Sequence, residues 1–187
     1  MELVSIHSKK SYRNISFQQN DKLGEIMAFK VLDIKNEIFI LIAFESGDLY
    51  LWDLEKRLKK NEIKFDDCPM ALDFDTSSMK GIYGSHNEKV IVFQINKNFE
   101  FQIKKEIKLV NPGVACVAIR PDHKIVAIGC WDGKLRLYSW KSLVILAVLD
   151  IHSSTVQDLG FFLSNDNRYY LAAGGKDTKV SLWDLYN

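Results

Sequence analysis

A chain of 187 residues with 47% hydrophobic and 12% aromatic content can bury one sizeable core and is not a disordered segment. Its 25 basic and 24 acidic residues leave a net charge of +1, so no basic stripe awaits a phosphate backbone and nucleic-acid binding has no electrostatic support. No signal peptide and no apolar run of the roughly 18 residues a membrane helix needs is present, and three cysteines without paired spacing (Cys68, Cys116, Cys130) fit a reducing compartment. A nuclear or cytoplasmic protein without a membrane partner is the expectation.

Taken in order, the chain reads as strands throughout. Segments 1–7 and 12–17 resemble the last two strands of one unit. Segments 27–34, 38–44, 48–54 and 58–65 then form a complete four-stranded unit, and 69–75, 80–84, 90–95 and 101–109 form the next. A third comprises 114–120, 125–130, 135–140 and 143–149. The last has 156–163, 169–174 and 180–184 and lacks an outer strand. Unit boundaries are placed at 1–20, 21–65, 66–110, 111–151 and 152–187. Charged residues Lys59, Lys60, Glu62 and Lys64 suit an exposed edge strand, which charge protects from unwanted pairing.

Each unit closes its third strand on an aromatic residue: Trp52, Phe93, Tyr138 and Trp183, which lie 41, 45 and 45 residues apart. Trp52 and Trp183 are followed by Asp53 and Asp184. A period of about 40–45 residues with a Trp-Asp ending predicts an all-β WD-repeat β-propeller with about four blades present. Two arrangements satisfy that count. In one the chain closes on itself as a four-bladed ring; in the other it forms part of a larger ring with bare, apolar end faces.

The order of landmarks narrows the choice. Pro69-Met-Ala-Leu-Asp-Phe-Asp75, Asn111-Pro-Gly113, Ile119-Arg-Pro-Asp122, Trp131-Asp-Gly133, Tyr138-Ser-Trp140, Leu146-Ala-Val-Leu149, His152 and Ala172-Ala-Gly-Gly-Lys-Asp177 follow one another into Ser181-Leu-Trp183. Together they resemble the C-terminal half of a WD-repeat family that comprises fungal ASTRA-associated protein 1 and the animal G-protein β-subunit-like protein 1. That resemblance implies a seven-bladed ring about twice this length, of which the chain would be the C-terminal part. It also implies a non-enzymatic role with the ASTRA assembly and with co-chaperones that mature phosphatidylinositol-3-kinase-related kinases, in chromatin regulation and DNA-damage signalling. A signalling subunit of G-protein β type and a propeller enzyme are the alternatives.

His152, Asp177 and Trp183 stand where a WD blade places a buried hydrogen-bond chain. The usual hydroxyl on the second strand is replaced by Ala173, so the chain is expected to be incomplete. A hydrolase reading would take His152 as base, Asp177 as its orienter and Ser153, Ser154 or Ser181 as nucleophile. No nucleophile elbow accompanies them, and the structural reading is preferred. In the other units Asp132 with Tyr138, Asn87 with Phe93, and Ser46 with Trp52 keep fewer polar members. A partner-binding rim is expected from Trp131, Asp132, Lys134, Lys176 and His86, with Trp131 as its anchor. His7, His86 and His123 read as isolated surface residues. The cysteines, and the carboxylates Asp66, Asp67, Asp73 and Asp75, lack metal-site spacing. The glycines open no phosphate-binding helix. No catalytic residue, metal or cofactor is therefore assigned, no small-molecule substrate is expected, and the partners are proteins.

Overall fold

In the computed structural model residues 3–4, 11–12 and 22–185 are described, and among them every regular element is a strand. Strands β1 (Leu3–Val4) and β2 (Ser11–Tyr12) pair antiparallel. The rest of the expected segments 1–7 and 12–17 lies outside the described residues.

Three four-stranded antiparallel meanders follow. The first is β3 (Ile26–Ile34), β4 (Glu37–Phe44), β5 (Asp48–Asp53) and β6 (Leu58–Lys64). The second is β7 (Pro69–Asp75), β8 (Lys80–Ser85), β9 (Lys89–Ile95) and β10 (Phe101–Lys108). The third is β11 (Val114–Ile119), β12 (Ile125–Cys130), β13 (Lys134–Ser139) and β14 (Ile145–Asp150). A three-stranded sheet ends the described chain: β15 (Val156–Leu163), β16 (Tyr169–Gly175) and β17 (Val180–Leu185).

Local chemistry explains most of the turns. Lys35 and Asn36 both take positive φ (57° and 65°), the conformation a two-residue hairpin needs, and the Asn36 N–H is accepted by Asp33 3.0 Å away. Strand β14 starts two residues later than the hydropathy suggests. Leu143 is left-handed (φ 56°) and donates its N–H back to Ser139 O, so it belongs to the turn. A β-bulge interrupts the start of every inner strand, at 26/28, 69/71, 114/116 and 156/158.

The sheets stack through their inner strands in the order β3, β7, β11, β15. The second strands of the three four-stranded sheets are buried on both faces, which is why β4 and β12 read as unbroken apolar runs. Between the first two sheets the core is aromatic: Phe65 meets Tyr83 at 4.6 Å and Phe93 meets Phe74 at 6.0 Å between ring centroids. Between the second and third, Ile82, Val92, Val126, Ile128 and Trp140 interlock. Leu137, Ala127 and Leu171 join the third to the last. Asp73 on β7 ties three sheets at once, with Lys30 Nζ of β3 at 2.6 Å and the Ile119 N–H of β11 at 2.7 Å. The far face of the last sheet carries Val180 (80% exposed) and Leu182 (61%) beside Phe162 and Tyr170.

Candidate functional site

The turns between second and third strands and the loops that lead into the inner strands share one rim. Hydrogen bonds run along it from sheet to sheet. Gly47 O accepts from Phe65 N, Asn87 O from Gly113 N (3.0 Å), and Gly113 O from Trp131 N (2.9 Å). Trp131 O then accepts the Thr155 hydroxyl at 3.4 Å, and Thr155 O accepts Lys176 N at 2.8 Å. Gly47 (φ 89°) and Gly133 (φ 78°) sit where the next loop's backbone passes, and a Cβ there would collide with Phe65 O or His152 O.

Beneath this belt, buried polar clamps fix each turn. In the last sheet His152 Nδ1 lies 3.0 Å from Asp177 Oδ1, and His152 Nε2 lies 2.9 Å from Ser181 Oγ. Ser181 Oγ also accepts the Trp183 indole N–H at 3.0 Å. The indole only donates and the carboxylate only accepts. The relay therefore runs from Trp183 to the Ser181 oxygen, from the Ser181 hydroxyl to Nε2, and from Nδ1–H to Asp177. The expected gap at Ala173 is thus corrected. Ser181 is the direct cross-strand partner of Ala173, so the hydroxyl has moved across the ladder to the same face. The hydrogen bond from His152 holds the Asp177 carboxyl down to about 2 against the opposing effect of burial, aided by the N–H groups of Ser153 and Lys179. Although Ser181, His152 and Asp177 follow triad order, the Ser181 side chain is buried and its oxygen is occupied by the indole.

The third sheet was expected to hold a weaker version and instead has a charged one. Arg136 occupies the position equivalent to Ser181. Its guanidinium grips Asp132 with two bonds of 3.0 and 2.6 Å, and Asn111 Nδ2 adds a third at 2.9 Å. Burial would raise the Asp132 carboxyl, but these donors and the Lys134 N–H hold it at about 2. In the second sheet Asn87 and Tyr83 both donate to Asp67, one to its carboxylate and one to its carbonyl.

The expected rim residues divide. Trp131 is 43% exposed, and its ring lies over Gly113 (φ 93°), where a Cβ would strike it. Lys176 and His86 are exposed beside the turns. Asp132 is turned inward to Arg136, and Lys134 reaches Asp150 Oδ2 (2.9 Å) on the outer strand. His123 is not isolated, for its Nδ1 lies 2.9 Å from Asp75 Oδ1 at the opposite end of the sheets. Asp75 there collects Ser77, Ser78 and the Trp140 indole, and these bonds overcome burial to hold its carboxyl at about 2. Burial pushes the thiols of Cys116 and Cys130 up to about 12 and about 11, as befits small core side chains. Among the described residues no cluster of His, Cys, Asp and Glu could hold a metal ion.

Comparison with known proteins finds WD40 repeats in this geometry. The model of the WD domain, G-beta repeat, matches residues 106–139 and 143–184. Guanine nucleotide-binding protein subunit beta-like protein 1 of Mus musculus is 34% identical over 189 residues, covering 100% of this chain and 57% of the relative. ASTRA-associated protein 1 of Schizosaccharomyces japonicus is 27% identical over 183 residues, covering 90% of this chain and 49% of the relative. Its counterpart in Schizosaccharomyces pombe is 43% identical over 70 residues, 37% of this chain and 18% of that protein. The chain spans about half the length of the first two relatives. The chain thus carries WD40 repeats over residues 106–139 and 143–184, its stacked antiparallel sheets and forty-odd-residue period fit a β-propeller, and it is similar to G-protein β-like protein 1 and ASTRA-associated protein 1.

Proposed function

We propose that this chain acts as part of a non-enzymatic adaptor in the ASTRA assembly and in the co-chaperone machinery that matures phosphatidylinositol-3-kinase-related kinases, in the nucleus or cytoplasm. The observation that carries the reading is similarity to the mouse and fungal relatives across nearly all of the chain. Rim geometry supports display over catalysis. Buried clamps and a backbone belt immobilise the turns, so Trp131, Lys176 and His86 are held out without much side-chain ordering left to do on binding. An exposed aromatic ring seated on a rigid backbone suits an anchor with a polar surround.

Affinity recovery of ASTRA and kinase-maturation subunits with the full-length protein tests this. The wild type is expected to recover them, and Trp131→Ala to reduce recovery roughly tenfold, as loss of an interface anchor does. Failure of the wild type to recover any such subunit removes the reading, and undiminished recovery with Trp131→Ala removes the rim. The printed name of the mouse relative favours a second reading, a signalling subunit of G-protein β type. Retention of a purified G-protein α subunit on the same column would support that one instead.

A further inference from the structure

The three outer strands differ in one respect. Both β6 (LKKNEIK) and β10 (FQIKKEIK) carry four charged residues, whereas β14 (ILAVLD) carries only Asp150. Each is the last strand of its sheet, with one backbone edge unpaired among the described residues. Charge on such an edge keeps other chains from adding to it, and β14 lacks that protection. Ile145, Leu146 and Val148 are about half exposed along it.

Beside this edge lies a groove of about 540 Å³ between the second and third sheets. Ile107, Leu109, Tyr138, Ile145 and Val148 give it apolar walls. Its charged lining residues are Lys108, Lys134 and Arg136, with no carboxylate among them, in a molecule otherwise balanced in charge. Lys105 closes one end, reaching Leu143 O at 3.4 Å. Aromatic rings occupy the corresponding wedge between the first and second sheets. Phe99 lies tilted against Phe39 at 5.1 Å with Lys60 above it, and Phe101 meets Phe93 at 5.9 Å. Both walls of the open groove belong to complete four-stranded sheets, so further blades of a longer ring would not cover it.

We propose that the groove and the β14 edge dock one extended segment of a partner protein, a strand whose groove-facing side chains include both apolar and acidic ones, which adds to β14 as a fifth strand. Backbone pairing would supply affinity, and the pockets beside it would supply selectivity. Apolar side chains settle on Ile145 and Val148, while carboxylates meet Lys108 and Lys134. Those lysines exchange their present partners at little cost, because the Lys108–Glu88 pair is solvent-exposed and the Lys134–Asp150 pair partly so. The proposal rests on the adaptor reading and names one surface that such an adaptor uses.

Fluorescence anisotropy with the full chain and a short labelled peptide that carries valine and glutamate on one face of an extended strand, with threonine at the intervening positions, tests it. Saturable binding is expected, weakened roughly tenfold or more (about 1.4 kcal/mol) by Val148→Lys, and likewise by Lys108→Glu combined with Lys134→Glu. The same peptide with alternate backbone amides methylated keeps its side chains and should bind comparably weakly. Thermal melting checks that Val148→Lys is folded, and if it is not, the exposed lysine pair decides. Equal binding by wild type and variants, or by methylated and unmethylated peptide, overturns the proposal. So does a dimer that depends on β14 and takes up no peptide. If ASTRA subunits are recovered undiminished by Val148→Lys and the peptide binds nothing, the groove fails and the adaptor reading stands. If the peptide binds as expected but no ASTRA subunit is recovered by wild type, the adaptor reading fails and the groove stands.

Discussion

Ser181 shows how a single hydroxyl can change strands without changing its work. It bridges the Trp183 indole and His152 from the third strand, directly opposite Ala173 on the second. Ser181→Ala would leave a half-buried indole N–H and a buried imidazole nitrogen unsatisfied, at a cost of about 1–3 kcal/mol. Adding Ala173→Ser to that variant should restore part of the loss, since cross-strand side chains lie about 4.5–5.5 Å apart at Cβ. Denaturant melts of wild type, single and double variants check this, and no recovery in the double variant would separate the two positions. Sequence spacing alone pointed to the relay, because His152, Asp177 and Trp183 sit at repeat positions. The missing hydroxyl was also within reach, since residues two apart on a strand share a face and Ser181 precedes Trp183 by two. Arg136 was harder to foresee. A cationic side chain mid-strand reads as solvent-facing until the fold brings Asn111 and Asp132 around it.

Among the elements, strand order and span were legible because each run is bounded by turn chemistry and the third strands end on periodic aromatics. The bulge repeated at the start of all four inner strands was not, since a bulge is a property of pairing between two strands. Nor was Asp73, whose partners Lys30 and Ile119 are supplied by neighbouring sheets. Asp73→Ala should lower stability by about 1–3 kcal/mol through the orphaned Ile119 N–H and the lost Lys30 pair. Its distinctive mark is spatial. Amide exchange should accelerate in β3 and β11 as well as in β7, and protection unchanged in both neighbours would reduce Asp73 to a local contact.

For the molecule as a whole, acid is the informative perturbation. The carboxyls of Asp75, Asp132 and Asp177 are all held at about 2, below the ordinary 3.8. A group depressed in the folded state contributes stability that is complete above its unfolded value and is lost as pH falls toward its folded one. The melting temperature should therefore be insensitive to these three groups above pH 4 and fall between about pH 4 and 2. Asp132→Asn should flatten that slope while lowering stability at neutral pH. A wild-type slope retained in the variant would show that other groups set the acid limit.

The clamps beneath the rim also bear on how a chain of near-repeats avoids misassembly. Similar strands invite pairing with the wrong neighbour, and identical units would make every such mistake nearly as good as the correct match. Here one unit joins imidazole, hydroxyl and indole, the next opposes guanidinium to carboxylate, and another uses an amide and a phenol. A turn docked against a foreign loop would part Asp132 from Asn111 and Asp177 from His152, leaving each carboxylate short of a donor, an error of about 1–3 kcal/mol apiece. Divergence between the units thus works as a set of unlike locks, letting each strand recognise its own place in the stack.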